Sequence, residues 1–222
     1  TEQRQIKPPH YNRHDMTSRK CLLLMLLMLA SGASVCQQNP LESGRNAERM
    51  ELYESAQAYY QQAIDAAPES AEPHMAMGLL MERRLRPQQA IEHYRAAIAL
   101  DDTLAAAYEH LAYCLLETDD YDCLPVIERA IELNPNSASA YCAMALNVCH
   151  QKNYTNALTW ARKALAADPK SPRAYNTMGI IHYHRGNDTE AINQFRQAIK
   201  EDPDNNDAYY NLGVMHVLRG NY

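Results

Sequence analysis

The sequence predicts an all-α protein, a solenoid of stacked helix pairs, and three observations carry that reading. Ala, Leu, Gln, Glu, Arg and Met dominate after about Glu48, while Gly-rich turns are scarce, with 7 Gly in 222 residues. These are the side chains that extend helices. A pattern of aromatic, small and Ala positions then recurs every 33 or 34 residues as far as Tyr222. A Pro closes all but one of the units, and Pro ends a helix because it lacks the N–H and bars helical angles in the residue before it.

The chain before the repeats divides into three short stretches. Residues 1–15 fit no targeting pattern and are read as an upstream extension, with Met16 as the plausible start. Residues 16–36 have the layout of a secretory signal: Arg19 and Lys20, the apolar run Cys21 to Ala30, then the small residues Ser31, Gly32, Ala33 and Ser34. The run is about half the length that spans a bilayer as a helix, so a permanent transmembrane anchor is the weaker reading. A buried core helix is the alternative to export. Ala33-Ser34-Val35-Cys36 resembles the lipobox of bacterial lipoproteins, in which the Cys is acylated and attaches the protein to the membrane. The sequence departs from that pattern at Ala33 and Val35, and cleavage after Ala33 would instead leave Cys36 a plain thiol. Residues 37–45 read as a polar tether.

The repeat region is expected over residues 46–222. First helices read His74-x-x-Met77-Gly78-x-x-Met81, Tyr108-x-x-Leu111-Ala112-x-x-Leu115, Tyr141-x-x-Met144-Ala145-x-x-Val148, Tyr175-x-x-Met178-Gly179-x-x-His182 and Tyr209-x-x-Leu212-Gly213-x-x-His216. Second helices answer with Ala56, Tyr60, Ala63; Ala90, Tyr94, Ala97; Cys123, Ile127, Ala130; Ala157, Ala161, Ala164; and Ala191, Phe195, Ala198. Pro68, Pro135, Pro169 and Pro203 close the units, with Asp102 the one departure. Small residues let the paired helices approach, and aromatics fill the space between them. Tyr94, Tyr141, Tyr175 and Phe195 are therefore expected to be buried. The third unit is one residue short and carries Pro125 early in its second helix, where a missing N–H is tolerated and a small kink is expected. Leu41 to Met50 lacks the aromatic and Leu-Gly signature and reads as an irregular capping helix. The last unit stops at the turn Arg219-Gly220-Asn221, so its second helix is not in the sequence.

This pattern resembles the tetratricopeptide repeat (TPR), a 34-residue helix-turn-helix unit. The resemblance implies a right-handed superhelix that binds proteins and carries no catalytic residues, metal or cofactor. It also implies a ligand groove lined by the first helices at repeat positions two, five, nine, twelve and thirteen. Those positions give Met75, Leu79, Tyr113, Cys142, Leu146, Asn176, Ile180, Tyr183, His184, Tyr210 and Val214 as the candidate protein-binding residues, joined by Glu109, Leu116, Cys149, His150 and Val217. The groove reads apolar and aromatic, which suits an amphipathic helix or extended apolar segment whose binding resists salt. The alternative is that position nine packs between neighbouring first helices. The basic clamp that some members use to hold a C-terminal carboxylate is not supplied.

Signal, Cys36 tether and repeat array together resemble the small lipoproteins of pilus and secretin assembly. An exported, lipid-anchored scaffold in the periplasm, held at the outer membrane, is the leading expectation. The alternatives are a cytoplasmic co-chaperone or adaptor, or the repeat part of a larger enzyme such as a glycosyltransferase. The formal net charge of −6, with no clustered Lys and Arg, argues against a nucleic-acid partner. His182 and His216 occupy packing positions, so structural roles are expected for them. Cys142 and Cys149 lie about 10 Å apart along one helix, too far to bridge. Cys114 and Cys123 flank one turn and could pair, but buried thiols are the better expectation.

Overall fold

The computed structural model describes residues 39–218. The expected extension and signal, Cys36 and the first two residues of the expected tether lie outside the described residues, as do residues 219–222. The described chain is a succession of antiparallel helices without strands: α1 (Pro40–Arg49), α2 (Tyr53–Ala66), α3 (Ala71–Arg83), α4 (Pro87–Leu100), α5 (Ala105–Glu117), α6 (Leu124–Leu133), α7 (Ala138–His150), α8 (Tyr154–Ala167), α9 (Pro172–His184), α10 (Asp188–Glu201) and α11 (Asn206–Leu218). Odd-numbered helices are the first helices of the repeats and even-numbered ones the second. Each second helix packs on its own first helix and on the next, which hides the apolar face that a single pair would expose.

Two expectations about the N-terminal unit are corrected. Residues 40–45, assigned to the tether, form the opening turns of α1, and α1 is a regular first helix rather than an irregular cap. The reason is Gly44, one repeat before Gly78: the ring of Tyr60 occupies the space a side chain would fill there. Gly78 and Gly179 receive Tyr94 and Phe195 in the same way. Where the first helix carries Ala112 or Ala145 instead of Gly, the facing residue shrinks to Ile127 or Ala161, and both are fully buried.

The turns inside the repeats share one geometry. Glu51 (φ 58°), Leu85 (φ 54°), Asp119 (φ 58°), Lys152 (φ 61°) and Gly186 (φ 83°) each follow a first helix in the left-handed region. The next amide donates back to the carbonyl five residues earlier, as in Arg86 N to Met81 O at 2.9 Å and Asn187 N to His182 O at 2.9 Å. This Schellman closure satisfies the last helical carbonyls and turns the chain sharply. Ser137 and Ser171 cap the following first helices, each accepting from an amide three residues on, at 3.0 and 3.3 Å.

The shortened third unit kinks where its composition demands. A 3₁₀ turn, Tyr121–Cys123, precedes α6, and Pro125 sits in the first turn of α6, where no intrahelical donor is lost. Tyr94 and Phe195 are buried as expected, but Tyr141 and Tyr175 are only half-buried. Their hydroxyls reach out to donate to the carbonyls of Pro135 (2.6 Å) and Pro169 (3.0 Å), tying each first helix to the turn that precedes it. Cys114, Cys123, Cys142 and Cys149 are free and buried. No helix among the described residues is long and apolar enough to cross a membrane.

Candidate functional site

Neighbouring first helices lie side by side from α5 to α11, and the surface they form holds a cavity of about 550 Å³. Its floor and walls come from residues that recur at equivalent places in successive repeats. Tyr113, Leu146 and Ile180, all at position nine, form the central apolar strip. Each is half-buried, so position nine both packs between helices and faces the groove. Leu116, Cys149, His150 and His184 extend the strip toward the helix C-termini, and Asn176 and Tyr210 border it at position five.

The remaining expected groove residues lie elsewhere. Cys142 is fully buried under Tyr113 and does not line the cavity, and burial raises its thiol pKa to about 11. Met75 and Leu79 belong to a separate hollow of about 270 Å³ with Arg45, Glu48, Glu72 and Arg83, at the N-terminal end of the array. Tyr183 is exposed with its ring tilted against His184, and Val214 is half-buried on α11; neither lines the larger cavity.

The sequence reading also missed the charge of the groove. Arg173 of α9 lies over the ring of Tyr113, with Cζ 4.1 Å from the ring centroid, and its Nη1 donates to Ser139 Oγ at 3.1 Å. Glu82, Glu117 and Asp207 face the same cavity from α3, α5 and α11. Burial disfavours the charge on Glu82, but His110, whose Nδ1 stands 2.8 Å from Oε2, the Tyr94 hydroxyl and the charge of Arg173 outweigh it and hold the carboxyl below its usual range. Glu117 is pushed the other way: burial, then the charges of Glu82 and Asp207, raise its pKa, with only Arg173 opposing. Burial acts against the charge of Arg173, and Tyr113, Cys142 and Glu82 overcome it. The groove is therefore amphipathic, with an apolar centre between charged and amide-bearing edges. Asn211 Nδ2 donates to Asn176 Oδ1 at 3.0 Å on one of those edges.

Arg173 and Asp207 stand at repeat position two, Glu82 at twelve and Glu117 at thirteen. The positional rule that gave the apolar residues gives these as well when every position is read in every unit. Among the described residues no group of three or more His, Cys, Asp or Glu side chains is placed to hold a metal ion. His182, a packing residue as expected, is half-buried, and burial lowers its pKa.

Comparison with known proteins agrees with this architecture. The family pattern described as Tetratricopeptide repeat matches residues 41–105 and 124–172, and one described as TPR repeat matches residues 179–220. No curated protein sequence matches the chain. Among solved structures, TTC0263, a thermophilic TPR protein of Thermus thermophilus, superposes with a TM-score of 0.66 at 18% identity, over 81% of this chain and 98% of that one. PilF of Pseudomonas aeruginosa gives a TM-score of 0.61 at 18% identity over 82% of this chain and 83% of that one. YrrB, described as a TPR protein with an unusual peptide-binding site, gives 0.56 at 19% identity over 77% of this chain and 89% of that one. At these identities the likeness is one of fold. The matched segments, the helix pairs and the glycine-aromatic contacts agree: this chain belongs to the tetratricopeptide-repeat family.

Proposed function

We propose that the chain is a protein-binding scaffold that holds an amphipathic or extended segment of a partner in the groove between α5, α7, α9 and α11. The observation that carries this is the cavity of about 550 Å³ whose apolar strip, Tyr113, Leu146 and Ile180, is contributed by three successive first helices. An apolar strip with polar edges fits a segment that presents side chains on one face and leaves its backbone to the amides and charges at the rim. Glu82, Glu117, Arg173 and Asp207 add a charged component to the apolar groove expected from the sequence.

We further propose that the protein acts outside the cytoplasm, tethered through acylated Cys36, as an adaptor in an envelope assembly of the pilus or secretin kind. The layout of residues 16–36 and the shared fold with PilF support this reading. The groove is tested in cells by placing a photo-crosslinking amino acid at Tyr210, in the cavity, or at Tyr59, exposed on second helix α2. A discrete partner adduct is expected from position 210 and none from 59. Adducts from 59 alone would move the binding face to the second helices and reject the groove.

A further inference from the structure

We infer that the segment bound in the groove carries a basic side chain, Lys or Arg, which enters between Glu117 of α5 and Asp207 of α11 with apolar neighbours on Leu146 and Ile180. This rests on the groove being the binding site, as proposed above. Three carboxylates from three separate repeats, Glu82, Glu117 and Asp207, reach one cavity of about 550 Å³. Glu82 is held by His110 and Tyr94. Among the described residues, neither Glu117 nor Asp207 takes part in an ion pair or a side-chain hydrogen bond. Arg173 offsets these charges only in part, since it is engaged with Tyr113 and Ser139, and a cation placed between Glu117 and Asp207 would relieve the remaining repulsion. Burial is the largest cause of the raised pKa of Glu117, and the charges of Glu82 and then Asp207 add to it.

The cavity already holds one guanidinium of the chain's own. Arg173 stacks on Tyr113, the arrangement by which an aromatic face attracts a cation. Tyr121 is stacked on His150, but Tyr210 lines the same cavity and is 73% exposed, so a further aromatic face is open to a guest. An acidic segment anchored on Arg173 is the competing occupant. It is disfavoured because that guanidinium is already engaged with Tyr113 and Ser139, and an incoming carboxylate would meet three others. Lys152 also lines the cavity, and a basic guest would be disfavoured beside it.

The test uses two labelled, terminally blocked ten-residue peptides, one alternating Leu with Lys and the other Leu with Glu. Binding is read by fluorescence anisotropy at about 0.1 M salt, where the Debye length is about 10 Å and groove charges are still felt. The Leu-Lys peptide is expected to bind at least about tenfold tighter, a margin of about 1.4 kcal/mol. The preference should disappear in the Glu117→Gln, Asp207→Asn variant and persist in Asp65→Asn, Glu69→Gln, which removes the same charge far from the groove. Equal or tighter binding of the Leu-Glu peptide overturns the inference, as does a preference that survives the groove variant or is lost in the control. In those cases weakening of both peptides by Ile180→Ala would leave the groove itself standing. If neither peptide binds, or Ile180→Ala changes neither, the groove reading fails and this inference fails with it.

Discussion

The ring of Phe195 occupies the space in which a side chain at Gly179 would stand, and the same contact joins Gly44 to Tyr60 and Gly78 to Tyr94. This pairing of an absent side chain with a large one sets how closely the two helices of a unit approach. Gly179→Ala places a methyl group into the ring. Overpacking of this kind costs about 1–3 kcal/mol, more than the helix propensity of about 1 kcal/mol that alanine contributes. A lower melting temperature is expected, and the loss should shrink when Phe195→Leu is made in the same chain, because the coupling is between these two residues. Additive effects in that double-mutant cycle would remove the contact as the determinant of helix spacing.

Turn geometry predicts a change of opposite sign. Leu85 holds φ 54° with its side chain 88% exposed, so it bears the strain of the left-handed conformation without packing in return. Gly186 fills the equivalent place after α9. Leu85→Gly should stabilise the fold by roughly 0.5–1 kcal/mol, since glycine adopts this conformation without the Cβ clash that costs other residues roughly 1–2 kcal/mol. Chemical denaturation of the two proteins measures it, and a lower midpoint for the glycine variant would contradict the strain.

Glu117 gives the pH dependence. Its pKa is raised in the native state, so the native state holds that proton more tightly than the unfolded chain does. Stability from this group is therefore present below the ordinary glutamate pKa of about 4.3 and is lost as pH rises through the raised value. Glu117→Gln should raise the melting temperature at pH 7, and the gain should vanish below about pH 4, where the wild-type carboxyl is also neutral. A gain that is the same at both pH values would show that neither burial of the Glu117 charge nor repulsion from Glu82 and Asp207 is its source.

The anchor is tested by Cys36→Ser, which should move the protein from the membrane fraction to the soluble one. Bacterial lipoproteins carry several acyl chains, whereas a single chain holds only marginally, so the shift should be near complete. Unchanged fractionation would reject acylation of Cys36.

The second helices were legible residue by residue because their Ala and aromatic positions touch neighbours within one repeat. All five sets, from Ala56, Tyr60, Ala63 to Ala191, Phe195, Ala198, are buried. α1 escaped because Pro40 and Ser43 stand where other units have an aromatic and Met or Leu, leaving Gly44 and Ala47 as its signature. The half-exposure of Tyr141 and Tyr175 depends on hydroxyls that reach a turn carbonyl, which an apolar pattern does not reveal. The charge of the groove was hidden for a different reason. Glu82, Glu117, Arg173 and Asp207 come from four repeats, and only the stacking of the helices brings them to one cavity.

In the proposed mode of binding, first-helix residues Tyr113 and Ile180 hold the partner. This mode is tested most directly by the affinity of the crosslinked partner segment for Tyr113→Ala and Ile180→Ala proteins that fold like wild type. Large anchors near the centre of an interface carry about 2 kcal/mol or more each, so a loss of roughly thirtyfold is expected for each variant. Wild-type affinity in both would contradict this mode of binding and place the binding surface outside the groove.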